Sequence, residues 1–231
     1  MKKSGKISIF ARNLTSMRKN NPSTTYRQDL RQRIMRAAMQ SFRKMGIKSV
    51  RMDDLANKLS ISKRTLYEIY NNKEDLLLEC LKNHKEEMEK RIHSLVTEDS
   101  SAMDFLLVYL RLEAEDNAHT NPVFYYELEK YPKVKVYLES NHELRREMSL
   151  VIMRRGVDEG DFRKDVNYDL VNIMVESFMN YIMKSEVYRN LPLTTIVKNL
   201  LLVVLRGICT DQGLKRLKDL DVFSSEVRSE R

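Results

Sequence analysis

The chain has 231 residues, enough for one or two compact units with a sizeable core. Charged residues make up 32% and aromatics 8%, with only 6 Gly, 4 Pro and no Trp, a balance that suits a mainly helical protein. Its longest apolar runs, 105–110 and 200–205, are far too short to cross a membrane, so no membrane partner is expected.

Charge is distributed unevenly. Residues 1–25 carry six Lys/Arg and no acid, and residues 26–73 carry twelve against four acids. With a chain total of +8, the first 73 residues hold +14 and the remainder −6. A basic head on an acidic body implies a polyanionic partner at one end only. Residues 1–25 lack helical or strand periodicity and read as a basic flexible arm, either a solvated tail or one that adds phosphate contacts.

Helix 1 is expected from about Tyr26, with an inward stripe of Leu30, Ile34, Ala38, Phe42 and Met45 and a stop at Gly46. Met52, Leu55, Ala56 and Leu59 then fall on one face of a second, short helix. Ser60-Ile61-Ser62 is a tight turn, and Ser62 is suited to cap a third helix over about Lys63–Tyr70. Leu66 and Ile69 face inward there. Arg64, Tyr67 and Glu68 centre the opposite face, flanked by Lys63 and Thr65. This is a helix-turn-helix over about 51–70 whose second helix is dressed to enter a DNA groove.

Arginine can bond guanine O6 and N7 bidentately and lysine can reach guanine or phosphate, so Lys63 and Arg64 are the candidate base readers. Ser62, Thr65, Tyr67 and Lys73 are better suited to phosphates. Lys73 also opens helix 4, where free backbone N–H groups favour an anion. Arg51 completes the DNA-binding set at the entry to the motif. Glu68 has two possible roles on a face meant for a polyanion. It can pair with Arg64 at i, i+4, or accept from cytosine N4.

Beyond the motif, helix 4 is expected from Lys73 to about Val96, with a long stripe of Leu77, Leu81, His84, Met88, Ile92 and Leu95. It starts beside the DNA-binding unit and ends in the second, which makes it a candidate lever. Further helices are expected over about 101–118, a short one after Pro122, one opened by Pro132 and ended by Gly156 and Gly160, and others over about 168–188 and 194–208. The result is an all-α chain of about nine helices: a DNA-binding domain over 26–72, a second helical domain over 73–209, and a C-terminal tail over 210–231 that starts as a helix and ends polar.

Met88, Tyr109, Tyr125, Met148, Met174, Phe178 and Tyr181 are candidate liners of a cavity among helices 4 to 8, to be weighed against ordinary helix packing. The four histidines are scattered at no metal-ligand spacing. There is no P-loop, nucleophile elbow or paired-carboxylate motif, so no metal, cofactor or catalytic residue is expected. Cys80 and Cys209 are far apart and read as small buried apolar groups in a reducing, cytoplasmic setting.

The run Gly46…Met52-x-x-Leu55-Ala56…Ser62-Lys63-x-Thr65-Leu66-Tyr67-x-x-Tyr70-x-x-Lys73-Glu74-x-Leu76-Leu77 resembles the signature of the TetR family of transcriptional regulators, as does Glu159-Gly160-Asp161-Phe162-Arg163 farther on. Ser60 departs from it, standing where that family usually has Gly, and Arg51 stands where Thr or Ser often caps helix 2. The resemblance implies a repressor that binds a palindromic double-stranded operator as a homodimer. It also implies an effector cavity, for a small apolar or amphipathic molecule, and a dimer contact through helices 8 and 9. Phe178, Ile182, Leu200, Val203 and Val204 are the candidates for that contact. The rival is an architectural or partner-controlled DNA-binding protein with no small effector.

Overall fold

A computed structural model describes residues 22–219 as ten α-helices. They are α1 (Pro22–Met45), α2 (Met52–Lys58), α3 (Lys63–Ile69), α4 (Lys73–Leu95), α5 (Ala102–Asn117), α6 (Val123–Leu128), α7 (Pro132–Asp158), α8 (Tyr168–Ser185), α9 (Leu193–Ile208) and α10 (Asp211–Asp219). Among the described residues there is no strand, only an isolated antiparallel bridge between Phe162 and Cys209. No described helix is long and apolar enough to cross a membrane.

Local chemistry sets most boundaries. Asn72, Ser101 and Asn167 each cap a helix by accepting a backbone N–H, and Ser101 with Asp104 forms a reciprocal capping box. Three boundaries depart from the sequence reading. Helix α1 starts at Pro22, four residues before Tyr26, because proline is pre-set for a first turn that carries none of the apolar stripe. Most of the expected arm therefore lies outside the described residues. Helix α7 runs through Gly156 and stops only before Gly160, whose φ of +83° breaks it. Helix α8 ends at Ser185, where Glu186 turns left-handed (φ 55°) into a 3-10 turn, Val187–Arg189.

Two larger apolar clusters hold most of the core among the described residues. The first joins Leu30, Ile34, Ala38 and Phe42 of α1 to Leu55, Ala56, Leu66, Leu76 and Leu77, and it also takes in Phe124 and Leu128 of α6 and Val134 of α7. The helix-turn-helix core is thus closed partly by the C-terminal helices. Met45 and Leu95, expected inward, are about half exposed, because each ends its helix beyond the packed face.

The second cluster centres on Met103, Leu107, Phe162, Leu205 and Ile208. Here the Glu159–Arg163 segment forms a corner. One edge of the Phe162 ring lies against Gly156, so close that a Cβ there would sit 2.1 Å from it. Asp161 is fully buried and accepts from Arg216 Nη1 (2.5 Å) and Gln212 Nε2 (3.2 Å) of α10. Arg216 also reaches Ser101 and Asp104 on α5. The first part of the expected tail is therefore a packed helix that ties α5, α7 and α9 together.

Candidate nucleic-acid interface

The α2–turn–α3 unit is built as its spacing demands. Met52, Leu55, Ala56 and Leu66 are buried, and Ser62 caps α3 by accepting from Thr65 N at 2.9 Å. The Ser62 and Thr65 hydroxyls also bond each other at 2.8 Å. Ser60 takes a left-handed φ of 55°, the conformation glycine adopts at no cost, which accounts for the motif's usual residue there. Arg51 precedes α2, exposed, with no side-chain cap bond.

On the outer face of α3, Arg64 Nε donates to Glu68 Oε1 at 2.8 Å. That bond leaves both Nη groups of the guanidinium fork free to point outward. Lys63 pairs with Asp53 of α2 at 2.5 Å, and this bond to the carboxylate raises its pKa. Tyr67 is exposed beside them. Lys63, Arg64, Tyr67 and Glu68 therefore share one solvent face, with Ser62 and Thr65 at its N-terminal edge.

Lys73 sits differently from the expectation. Its ammonium donates to the carbonyls of Ile47 (2.9 Å), Lys48 (3.3 Å) and Val50 (2.8 Å), which uses all three of its protons. Burial lowers its pKa, opposed by the charge of Glu127. Glu127 itself was not legible as a site residue. This buried α6 carboxylate accepts from Lys48 N at 2.8 Å and packs against Gly46, whose φ is +81°. The α1–α2 turn is thus held by a cation from α4 and an anion from α6. No periodicity marks Glu127; only the tertiary approach of a chain segment 79 residues away gives it a partner.

The expected effector liners do not converge. Met88 and Tyr109 meet in a small cluster with Ile92 and Leu112, and Tyr125 packs against the first core, its hydroxyl donating to Asn117. Met148, Met174, Phe178 and Tyr181 lie on the surface of α7 and α8. An open cleft of about 620 Å³ occurs instead between α1 and α4, closed at one end by residues 116–120, and of the expected set only Met88 lines it.

Of the residues expected at a dimer contact, Phe178 and Val203 face solvent, Val203 at 72% exposure. Leu200 is half-buried. Ile182 and Val204 pack within their own protomer, Ile182 being 3% exposed, because the α8 and α9 stripes are wide enough to serve the chain's own core on one edge. Leu170, Ile173, Met174, Phe178 and Tyr181 form the exposed stripe of α8, with Leu144, Met148 and Val151 exposed on α7.

Residues 34–80 match the model of the family described as "Bacterial regulatory proteins, tetR family". The HTH-type transcriptional repressor KstR2 of Mycobacterium tuberculosis is 25% identical over 144 residues, spanning 60% of this chain and 72% of the relative. A solved structure of the ketosteroid transcriptional regulator KstR2 of the same organism superposes with a TM-score of 0.55 at 24% identity, covering 79% of this chain and 96% of that one. The fatty acid degradation regulator FadR of Bacillus halodurans superposes with a TM-score of 0.61 at 18% identity, covering 82% and 98%. At these identities the superpositions speak to the fold.

Proposed function

Since this chain belongs to the TetR family of DNA-binding transcriptional regulators, we propose that it is a ligand-responsive repressor that holds a palindromic operator as a homodimer. In this reading Arg64 contacts a guanine edge through its free Nη groups, and Lys63 leaves Asp53 for a base or phosphate. Ser62, Thr65, Tyr67 and Arg51 bond phosphates and fix the register. Lys73 serves as a clamp on the α1–α2 turn, and any phosphate contact it makes is secondary. The repressor sign follows the curated relatives, which are repressors.

The observation that carries the reading is the exposed apolar stripe of α8, continued on α7, in a chain whose α3 also keeps its outer face in solvent. Leu170, Ile173, Met174, Phe178 and Tyr181 recur at helical spacing, and a second copy of the same face is the simplest cover for it. Two copies related by a two-fold axis would present two recognition helices, as half-sites about 34 Å apart require.

The test uses an operator selected from random duplexes. Light scattering should give a dimer without DNA, and titration should give two chains per duplex. Val203→Glu and Met174→Glu, both at exposed positions, should yield a folded monomer that binds the operator at least tenfold more weakly. A folded wild-type monomer at micromolar concentration would sink the dimer reading.

A further inference from the structure

The cleft between α1 and α4 lies outside the region where sequence spacing led us to expect a ligand. Its floor is apolar and sulfur-rich: Met35, Cys80 and Met88 are buried, with Met39 beside them. The Cys80 thiol is pushed up to about 12 by burial and stays protonated, so the floor carries no charge. The rim is different. Arg36, Arg43, Lys44 and Arg91 line it against only two carboxylates, Glu87 and Asp116.

Two of these cations are already engaged. Arg91 pairs with Asp116 at 2.8 Å and with Glu115 at 2.9 Å. Arg43 reaches His84 Nε2 at 3.0 Å, while its Nε is buried with no hydrogen-bond partner. An N–H left unpaired in that position is unfavourable until something accepts from it. Arg36 and Lys44 are exposed and make no ion pair among the described residues. Burial and the Arg43 charge lower the pKa of His84, so it adds no positive charge at neutral pH.

We propose that this cleft binds an amphipathic carboxylate, its apolar body on the Met35–Met39–Met88 floor and its head among Arg36, Arg43 and Lys44. The cleft is half open, which suits a ligand that lays one side on the floor and keeps the other in water. Glu87 and Asp116 limit the negative charge the rim accepts, which favours a monovalent carboxylate over a dianionic phosphate. The proposal rests on the reading of the protein as ligand-responsive and gives that reading a mechanism. Helix α1 carries the core of the DNA-binding unit and α4 is the long helix leading away from it. A molecule wedged between them acts directly on the angle that sets where α3 sits.

The test is calorimetric titration of the full chain with decanoate and with deoxycholate, each below its micellar concentration. Decanol and decyltrimethylammonium are the neutral and cationic controls. At least one carboxylate should bind saturably, one per chain, and the controls should not. The Arg36→Ala/Lys44→Ala double variant should weaken that binding about tenfold, because an exposed charged contact is worth only a few-fold and two are lost. Met39→Trp should block it by filling the cleft. The double variant changes exposed side chains only, so the test survives even if Met39→Trp fails to fold. No saturable binding of either carboxylate, equal binding of the cation, or binding indifferent to the double variant would overturn the proposal. Operator titrations on the same samples separate this from the broader reading. A carboxylate that binds the cleft but leaves operator affinity unchanged would keep the site and overturn ligand responsiveness.

Discussion

Arg64 and Glu68 show how a carboxylate can sit on a face meant for DNA. The bond at 2.8 Å is between exposed groups, so as an isolated helix pair it adds little to stability. Its geometric effect is larger, since it fixes Nε and orients the fork that would read guanine. Arg64→Ala is therefore expected to cost about 1–3 kcal/mol of operator affinity and to relax one base position. Glu68→Gln should raise non-specific affinity with little change in base preference. Competition among single-base operator variants measures both, and loss of a cytosine preference in Glu68→Gln would assign that residue to direct readout instead. Ser60 offers a second residue-scale test. Its left-handed backbone costs about 1–2 kcal/mol relative to glycine, while a glycine frees the unfolded chain by about 0.4–1 kcal/mol. The first figure is the larger, so Ser60→Gly should stabilise the protein by up to about 1.5 kcal/mol in urea unfolding. A lower midpoint would mean that the serine side chain contributes more than its backbone costs.

At the scale of elements, the corner at Glu159–Arg163 is the sharpest constraint. Alanine at Gly156 gains about 0.5–1 kcal/mol of helix propensity but puts a methyl group 2.1 Å from the buried Phe162 ring. Overpacking of that kind costs about 1–3 kcal/mol, so Gly156→Ala should lower the urea midpoint despite the better helix former. An unchanged midpoint would show that the ring can swing aside. Glu159-Gly160-Asp161-Phe162-Arg163 was visible in the sequence as a family trait, but its reason was not, because Asp161 finds Arg216 55 residues downstream. The same limit recurs along the chain. Helix spans and caps were legible because they depend on neighbours three or four residues apart. Ile182 and Met174 both lie on the apolar side of α8, yet one is 3% and the other 68% exposed. Periodicity marks a face as apolar but cannot say whether the chain's own core or a second chain covers it. The cleft cations were equally hidden, since arginines on α1 look like ordinary solvated charge until α4 is laid against them.

At the scale of the whole molecule, the two ends are joined through one turn. Lys73 and Glu127 hold the backbone of residues 46–50 from different helices, and Lys133 adds an ion pair to Asp75 at 2.5 Å. Lys73→Met and Glu127→Gln should each destabilise the folded protein. Their double-mutant cycle should show coupling of about 0.5–3 kcal/mol, as for residues that share one network. Simple additivity in urea unfolding would mean that the two hold the turn independently. Glu127 also bears on any attempt to build hybrids. A cut between residues 72 and 73, the natural place to exchange a DNA-reading head between relatives, would set a foreign turn against a buried carboxylate that is satisfied only if that turn brings its backbone N–H to the same place. Phe124, Leu128 and Val134 would be left facing an unmatched core. A transplanted head therefore has to bring α6 and the first turn of α7 with it, although they lie some fifty residues beyond the cut.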